Sequence, residues 1–386
     1  MLCVLLARAP RVAIELETVA QLEVDGRTMS VGPGTVMVDA QGGGWRIGGS
    51  GANTPGVLVS GGRPIFALDA LPLFGQPRRL RLAGDLVLQP AGDEVEVIER
   101  VRMEDYLASV VGAEMNPKWP AAALAAQAIV ARSYAAARWM ERLDRPWQLH
   151  WHFGMDMAYH GWSERNEPVA RAILPTRGEV LMFHGFPVLA LFHASSGGRT
   201  EAFERVKPGV LAPDGKTPIA ASMPVVEDDA AMPGALGLDL AASHGRWKAD
   251  IPLPEVTRAL QAWSLAASGR PTFGEIEAVS IHARHADSER VASVSLRHRL
   301  AGKTRFTTLL ATDFRVAIGP VRVRSLWWER CVIAAKAPGY LVLEGRGFGH
   351  GCGLSQVSAW HLAQEGAAPE TIVARFYAGA RLERCY

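Results

Sequence analysis

The stretch Val101 to Arg142, VRMEDYLASVVGAEMNPKWPAAALAAQAIVARSYAAARWMER, constrains the fold more than any other part of the chain. It carries two helical patterns, broken at Asn116-Pro117-Lys118-Trp119-Pro120. In the first, Met103, Leu107, Val110 and Val111 recur at the spacing of one helical face, the signature of an amphipathic helix turned toward a core. Glu114 stands seven residues after Leu107. At roughly 100° per residue it therefore points into the centre of the apolar stripe. A carboxylate there either pairs with a cation such as Arg132 or has a raised pKa, and a raised pKa suits a general acid near neutrality. Both readings stand at this point.

The second pattern begins at Pro120, a residue suited to the first helical position, and continues through alanine-rich sequence of high helix propensity. Leu124, Ala128, Ala131, Ala135 and Trp139 form its apolar face. Gln127, Tyr134 and Arg138 form a separate stripe with Arg132 at its border. Small alanines permit close helix approach, so this helix is expected against the one that carries Glu114. The proline corner then holds the acid at a helix end, beside a surface groove.

Length and charge narrow the function classes. A chain of 386 residues holds one large domain or two, and 48% hydrophobic residues give an ordinary core. Basic residues number 41 against 39 acidic, with no basic block, which argues against nucleic acid held by charge. Cys3, Cys331, Cys352 and Cys385 are scattered, with neither zinc-finger spacing nor a dense disulfide framework. The N-terminal MLCVLLARAP lacks a signal-peptide layout and is too short to span a membrane. It reads as a first strand continued by Val12 to Leu16.

Residues 1–100 are rich in Gly, Pro, Val and Leu in short alternating runs, with turns at Asp25-Gly26 and Gly42-Gly43-Gly44. They feed into the Glu114 helix without a linker. The segment WQLHWHFGMDMAYHGWSERN brings His150, His152 and His160 close in sequence. Such a set suits zinc in principle, but the segment has no cysteine, and no metal is expected. Then comes a hairpin turning at His184-Gly185 and ending in Ser195-Ser196-Gly197-Gly198. Glycines there permit positive φ and close approach of a ligand to the backbone. The Gly-x-Ser-x-Gly elbow of a serine hydrolase is absent. PLPEVTRALQAWSLAA reads as a helix, and IEAVSIHARHA, RVASVSLRHRL and TRFTTLLATDFRVAI as strands.

The last motif is GRGFGHGCGLSQ, with glycines at 345, 347, 349, 351 and 353. That spacing supplies neither the dinucleotide fingerprint nor a phosphate loop, so nucleotide chemistry is disfavoured. In an extended chain it leaves one face bare for close packing or for a flat sugar ring. His350 projects from it, and Ser355 is placed to cap a helix from Gln356 to Glu365. The whole pattern predicts an α+β fold, β-rich around a small helical core that carries Glu114. The expected division is an N-terminal region of residues 1–100 and a catalytic region of 101–386, in one continuous unit.

Three runs together resemble the stage II sporulation protein D and amidase-enhancer family, SpoIID/LytB. They are Ala-Glu-Met at 113–115 followed by Leu124, Ala126, Gln127, Ala128, Ala131, Arg132 and Tyr134; His193-Ala-Ser-Ser-Gly-Gly-Arg-Thr-Glu201; and Gly345 to Gln356. With Phe314 to Gly319 and Phe376-Tyr377-x-Gly379, the likeness covers about residues 60–386. The tryptophan usual after the second run is replaced by Phe203 to Lys207. The resemblance implies a peptidoglycan lytic transglycosylase with Glu114 as its acid, cutting between N-acetylmuramic acid and N-acetylglucosamine to leave a 1,6-anhydro end. Gln127, Arg132, Tyr134, His193, Ser195, Ser196, Gly197, His350, Ser355 and Gln356 are the substrate contacts it suggests. It implies glycan strands as partner, a place in the cell envelope and no cofactor. The alternative it carries is a non-catalytic enhancer of a cell-wall amidase.

Overall fold

Turn chemistry and alternation lay down strands at the start of the chain. In the computed structural model, the residues described are 1–48, 50–59, 66–73, 76–82, 84–232, 234–235, 240–335 and 338–386. A seven-stranded sheet runs Leu149–His150, Leu2–Ala9, Glu94–Val101, Asp85–Ala91, Gly56–Val59, Ala20–Val24, Arg27–Val31. A six-stranded sheet runs Gln76–Leu82, Phe66–Leu73, Arg11–Leu16, Gly34–Gln41, Gly44–Ile47, Ser50–Ala52. Asp25 and Gly26 both take positive φ, 48° and 73°, as a two-residue hairpin turn requires. The first strand is not continued by Val12 to Leu16 as expected. Leu2–Ala9 and Arg11–Leu16 belong to different sheets, and the Pro10 carbonyl between them accepts the Ala40 N–H at 2.8 Å.

Strand Glu94–Val101 pairs with both Leu2–Ala9 and Asp85–Ala91 and passes through Arg102 into helix α1, Met103–Glu114. After the proline corner, α2 spans Ala121–Glu141, and α3, Glu167–Ile173, packs against both. Every residue from 123 to 135 is buried. The cause is that α1, α3 and the strand Glu179–Phe183 surround α2, while its alanines let them close in. The expected hairpin turns at His184 and Gly185, with φ of 50° and 83°.

The chain divides into two compact units, and not at residue 100. The first comprises 1–189, 212–217 and 382–386, and the second 190–211 and 218–381. Residue 100 is no boundary because it is still paired on both sides in a strand that continues straight into α1.

The second unit has its own core. Two three-stranded sheets, Arg246–Pro252/Tyr340–Arg346/Trp328–Ala334 and Glu275–Arg284/Val291–Leu300/Lys303–Leu310, bury Trp247, Val279, Val294, Leu296, Leu341 and Trp328. Against them pack α4, Leu253–Leu265, and α5, Ala311–Ile318. The expected strand through ATDFRVAI is thus helix. Ala311, Phe314 and Ile318 form a buried i, i+3, i+7 face. The unit closes with α6, Gln356–Gln364, and α7, Pro369–Phe376.

Candidate active site

Glu114 is the last residue of α1, where the chain turns extended at Met115, φ −126° and ψ 154°. Its carboxyl is half-buried, and Oε1 accepts the Ala158 N–H at 2.9 Å. Burial pushes its pKa up, and the single N–H works against that rise. No cation forms an ion pair with it among the described residues.

The pairing of Glu114 with Arg132 does not occur. Arg132 is completely buried and donates through Nε and Nη2 to Glu104, at 2.9 and 2.8 Å, and through Nη1 to the Glu179 carbonyl at 3.1 Å. Glu104 lies at the start of α1 and Glu114 at its end, about 15 Å apart at 1.5 Å rise per residue. In a hairpin of helices, position 132 of α2 meets the start of α1.

Tyr134 reaches a partner that spacing alone did not reveal. Its hydroxyl donates to Asp156 Oδ1 at 2.9 Å and accepts from Arg138 Nε at 3.2 Å. The Asp156 side chain is 1% exposed. It also accepts the His150 N–H at 2.9 Å and pairs with Arg138 and Arg142 at 3.3 and 3.2 Å. Tyr106 of α1 is buried, with no partner for its hydroxyl among the described residues. Burial pushes its pKa well up, and the charges of Asp156, Tyr134 and Glu114 add to that. These four residues therefore share one buried polar zone.

Gln127, Arg132 and Tyr134 are 0%, 0% and 6% exposed. All three lie in the interior, Arg132 held by Glu104 and Tyr134 by Asp156. Asp156 was missed because one acid in an aromatic-rich segment has no pattern. The clue was the Tyr134 and Arg138 stripe, which asks for an acidic partner.

The second and third motifs meet in the second unit. Phe192 and His193 pair in parallel with Leu354 and Ser355, and Ser195 and Phe348 exchange N–H···O bonds of 2.9 and 2.8 Å. The glycine run is not extended with a bare face. Gly347, Gly349, Gly351 and Gly353 all have positive φ, from 72° to 115°. A Cβ on Gly349 would meet His193 Cβ at 2.6 Å, and one on Gly351 the Arg290 guanidinium at 2.5 Å. The glycines make room for protein, not for a sugar ring.

His193 Nδ1 donates to the Cys352 carbonyl at 3.1 Å, and His350 Nδ1 accepts the Cys352 N–H at 3.1 Å. The rings are 5.5 Å apart. Burial pushes both pKa values down, His350 to about 3, aided by nearby arginines. Ser196 Oγ donates to Asp228 Oδ2 at 2.6 Å, and Ser358 Oγ lies 2.8 Å from both Asp228 Oδ2 and Ser355 Oγ. Ser355 heads α6 without a side-chain capping bond; its hydroxyl faces Ser358 and accepts the Ser196 N–H at 3.4 Å. Arg290 donates to the Ser196 and Arg199 carbonyls at 2.7 and 3.0 Å. Ser195, Ser196, Gly197 and Gln356 are buried here too, and burial pushes the Cys352 thiol well up, as fits packing. Asp228 and Arg290 organise this cluster, and no sequence pattern marked them.

His150 and His152 use Nδ1 to accept the N–H groups of His152 and Gly154, at 3.0 and 2.9 Å, and their rings lie edge-on 6.4 Å apart. Among the described residues, no His, Cys, Asp and Glu side chains converge in a metal-holding group.

Comparison with known proteins places this geometry. The sequence model of the family described as stage II sporulation protein matches residues 91–183, the stretch that builds α1, α2, Glu114 and Asp156. Stage II sporulation protein D of Bacillus amyloliquefaciens is 24% identical over 307 residues, covering 73% of this chain and 74% of that one. The amidase enhancer of Bacillus subtilis is 24% identical over 296 residues, 72% of this chain and 40% of its own length. These matches support the SpoIID/LytB family for this chain. An uncharacterized protein of Brachyspira hyodysenteriae is similarly related, 24% identical over 298 residues, 77% of this chain and 70% of that protein. Within the SpoIID/LytB frame, Glu114 closes the first motif, and the second and third motifs form the buried cluster of the second unit.

Proposed function

We propose that this protein is a peptidoglycan lytic transglycosylase in which one carboxyl, Glu114, serves as acid and then base. The observation that supports it is the state of that carboxyl: half-buried at a helix end, raised in pKa, and met by one backbone N–H and no cation among the described residues. Neutral Glu114 protonates the glycosidic oxygen between N-acetylmuramic acid and N-acetylglucosamine as the C1–O bond breaks. Its carboxylate then takes the proton of the muramyl C6 hydroxyl as that oxygen closes on C1. The product is a 1,6-anhydro end. Because the sugar supplies its own nucleophile, one carboxyl suffices and no cofactor is required. A hydrolase needs a second carboxylate about 5 to 9.5 Å away, and Asp156 is committed to Tyr134, Arg138 and Arg142. Such a substrate places the protein in the cell envelope. The likeness to an amidase enhancer favours, as second reading, a non-catalytic partner of a cell-wall amidase.

The test is mass spectrometry of products from purified glycan strands, with and without stem peptides, using wild type and Glu114→Gln. Anhydro-muramyl ends that fall by about 10²- to 10⁴-fold in the variant support the acid role. Reducing ends in place of anhydro ends mean hydrolysis. No products from either protein, with an added amidase accelerated by both, mean an enhancer.

A further inference from the structure

The donor on Glu114 belongs to a turn whose own anchor is a second carboxylate. After α2 the chain lies beside the first strand, with Gln148 N–H on the Cys3 carbonyl at 2.9 Å and Trp151 N–H on Leu5 at 3.1 Å. It then turns through 152–156 and returns, closed by the Tyr159 N–H on the Trp151 carbonyl at 3.0 Å. Asp156 sits at the end of this turn and binds α2 through Tyr134 and Arg138, the end of α2 through Arg142, and the strand before the turn through the His150 N–H. Two residues on, the Ala158 N–H meets Glu114 Oε1 at 2.9 Å, and the His160 N–H meets Ser109 Oγ of α1 at 3.0 Å. One carboxylate thus fixes where a backbone donor stands on the proposed acid.

We propose that Asp156 is a positioning residue for Glu114, acting through the 156–158 backbone to hold the Ala158 N–H on the acid. This rests on the reading of Glu114 as the acid of the reaction. The groups that face Glu114 are the Ala158 N–H and Tyr106 of α1. Those facing Asp156 are Tyr106, Tyr134, Arg138, Arg142 and His150. The N–H stabilises the charged carboxylate, so loosening it favours the protonated form and raises the Glu114 pKa.

The experiment titrates the Glu114 carboxyl by ¹³C NMR in the full chain, for wild type, Asp156→Ala, Asp156→Asn and Tyr134→Phe. Asp156→Ala is expected to raise the Glu114 pKa by about one unit, the effect of losing a hydrogen bond to the charged form. Asp156→Asn, which keeps one of the two oxygens that accept from the Tyr134 hydroxyl and the His150 N–H, shifts it less. Tyr134→Phe, which removes one anchor, shifts it in the same direction. In turnover, the alkaline limb of kcat/KM moves up in pH by the same amounts. A Glu114 titration unchanged in folded variants overturns the proposal and leaves Asp156 a structural anchor. If Asp156→Ala does not fold, the Asn and Phe variants decide by the same reading. Absence of anhydro products in the wild type defeats the proposed function but leaves the titration, and so this inference, independently decidable.

Discussion

Arg132 gives up all contact with solvent to hold Glu104 in a two-point bond. Burial works against the Glu104 charge, but Arg132 outweighs it and holds that carboxyl below its ordinary range. Removing one partner of such a pair costs about 3 to 5 kcal/mol when the other is fully buried. Glu104 keeps 24% side-chain exposure, so Arg132→Met is expected to cost nearer 2 to 3 kcal/mol. The check is the urea midpoint at unchanged slope, and a loss under about 0.5 kcal/mol would place the pair with ordinary surface bridges. The sequence placed Arg132 beside the acid helix and offered it Glu114 as partner. Periodicity told which face each residue takes, and the direction of the helix hairpin decided which carboxylate it meets. Asp156 was harder still, because its four partners come from α2, the end of α2 and the strand before its turn.

At the scale of elements, the glycine run was legible as a motif but not as a shape. An extended ladder and a chain of left-handed turns have the same spacing on paper. What separates them is the backbone the run packs against, and that comes from 159 residues earlier, as between His193 and Cys352. Gly353 shows the consequence. Its φ is +72°, and a Cβ there would stand 1.8 Å from the Leu191 carbonyl. Gly366, after α6, has φ +88° but open space around it. Gly366→Ala is therefore expected to cost only the left-handed penalty, about 1 to 2 kcal/mol. Gly353→Ala must also move the Leu191 backbone and is expected to cost more than about 3 kcal/mol, or to prevent folding. Thermal unfolding of the pair checks this, and equal costs would mean that the fit of the two motifs is looser than described. The helix at Ala311–Ile318 was misread for a related reason. Phe, Val and Ile favour strands in isolation, but the buried i, i+3, i+7 face against the sheet won.

The two units differ as whole objects in how they carry protons. In the second, burial pushes His193, His244, His298 and His350 below their ordinary pKa. In the first, burial pushes His150 the same way. A histidine whose folded pKa is depressed takes up a proton only in the unfolded chain as pH falls through about 6.5, so stability is lost with acidification. Each such group contributes a slope of about 1.4 kcal/mol per pH unit between its unfolded and folded values. For His350 that window runs from the ordinary histidine range down to about 3. Burial raises Asp228, which binds its proton more readily when folded and so works the other way. In the first unit, raised Glu114 also gains from acid, and depressed Glu104 holds its contribution until pH drops through its folded pKa. Hydrogen exchange between pH 7 and 5 is therefore expected to show core amides of 246–252 and 340–346 losing protection before those of 94–101 and 121–141. His193→Gln, which removes a fully buried histidine, should flatten that loss by about 1 kcal/mol per pH unit. Equal loss in both units, or earlier loss in the first, would show that these histidines do not set the acid limit of the fold.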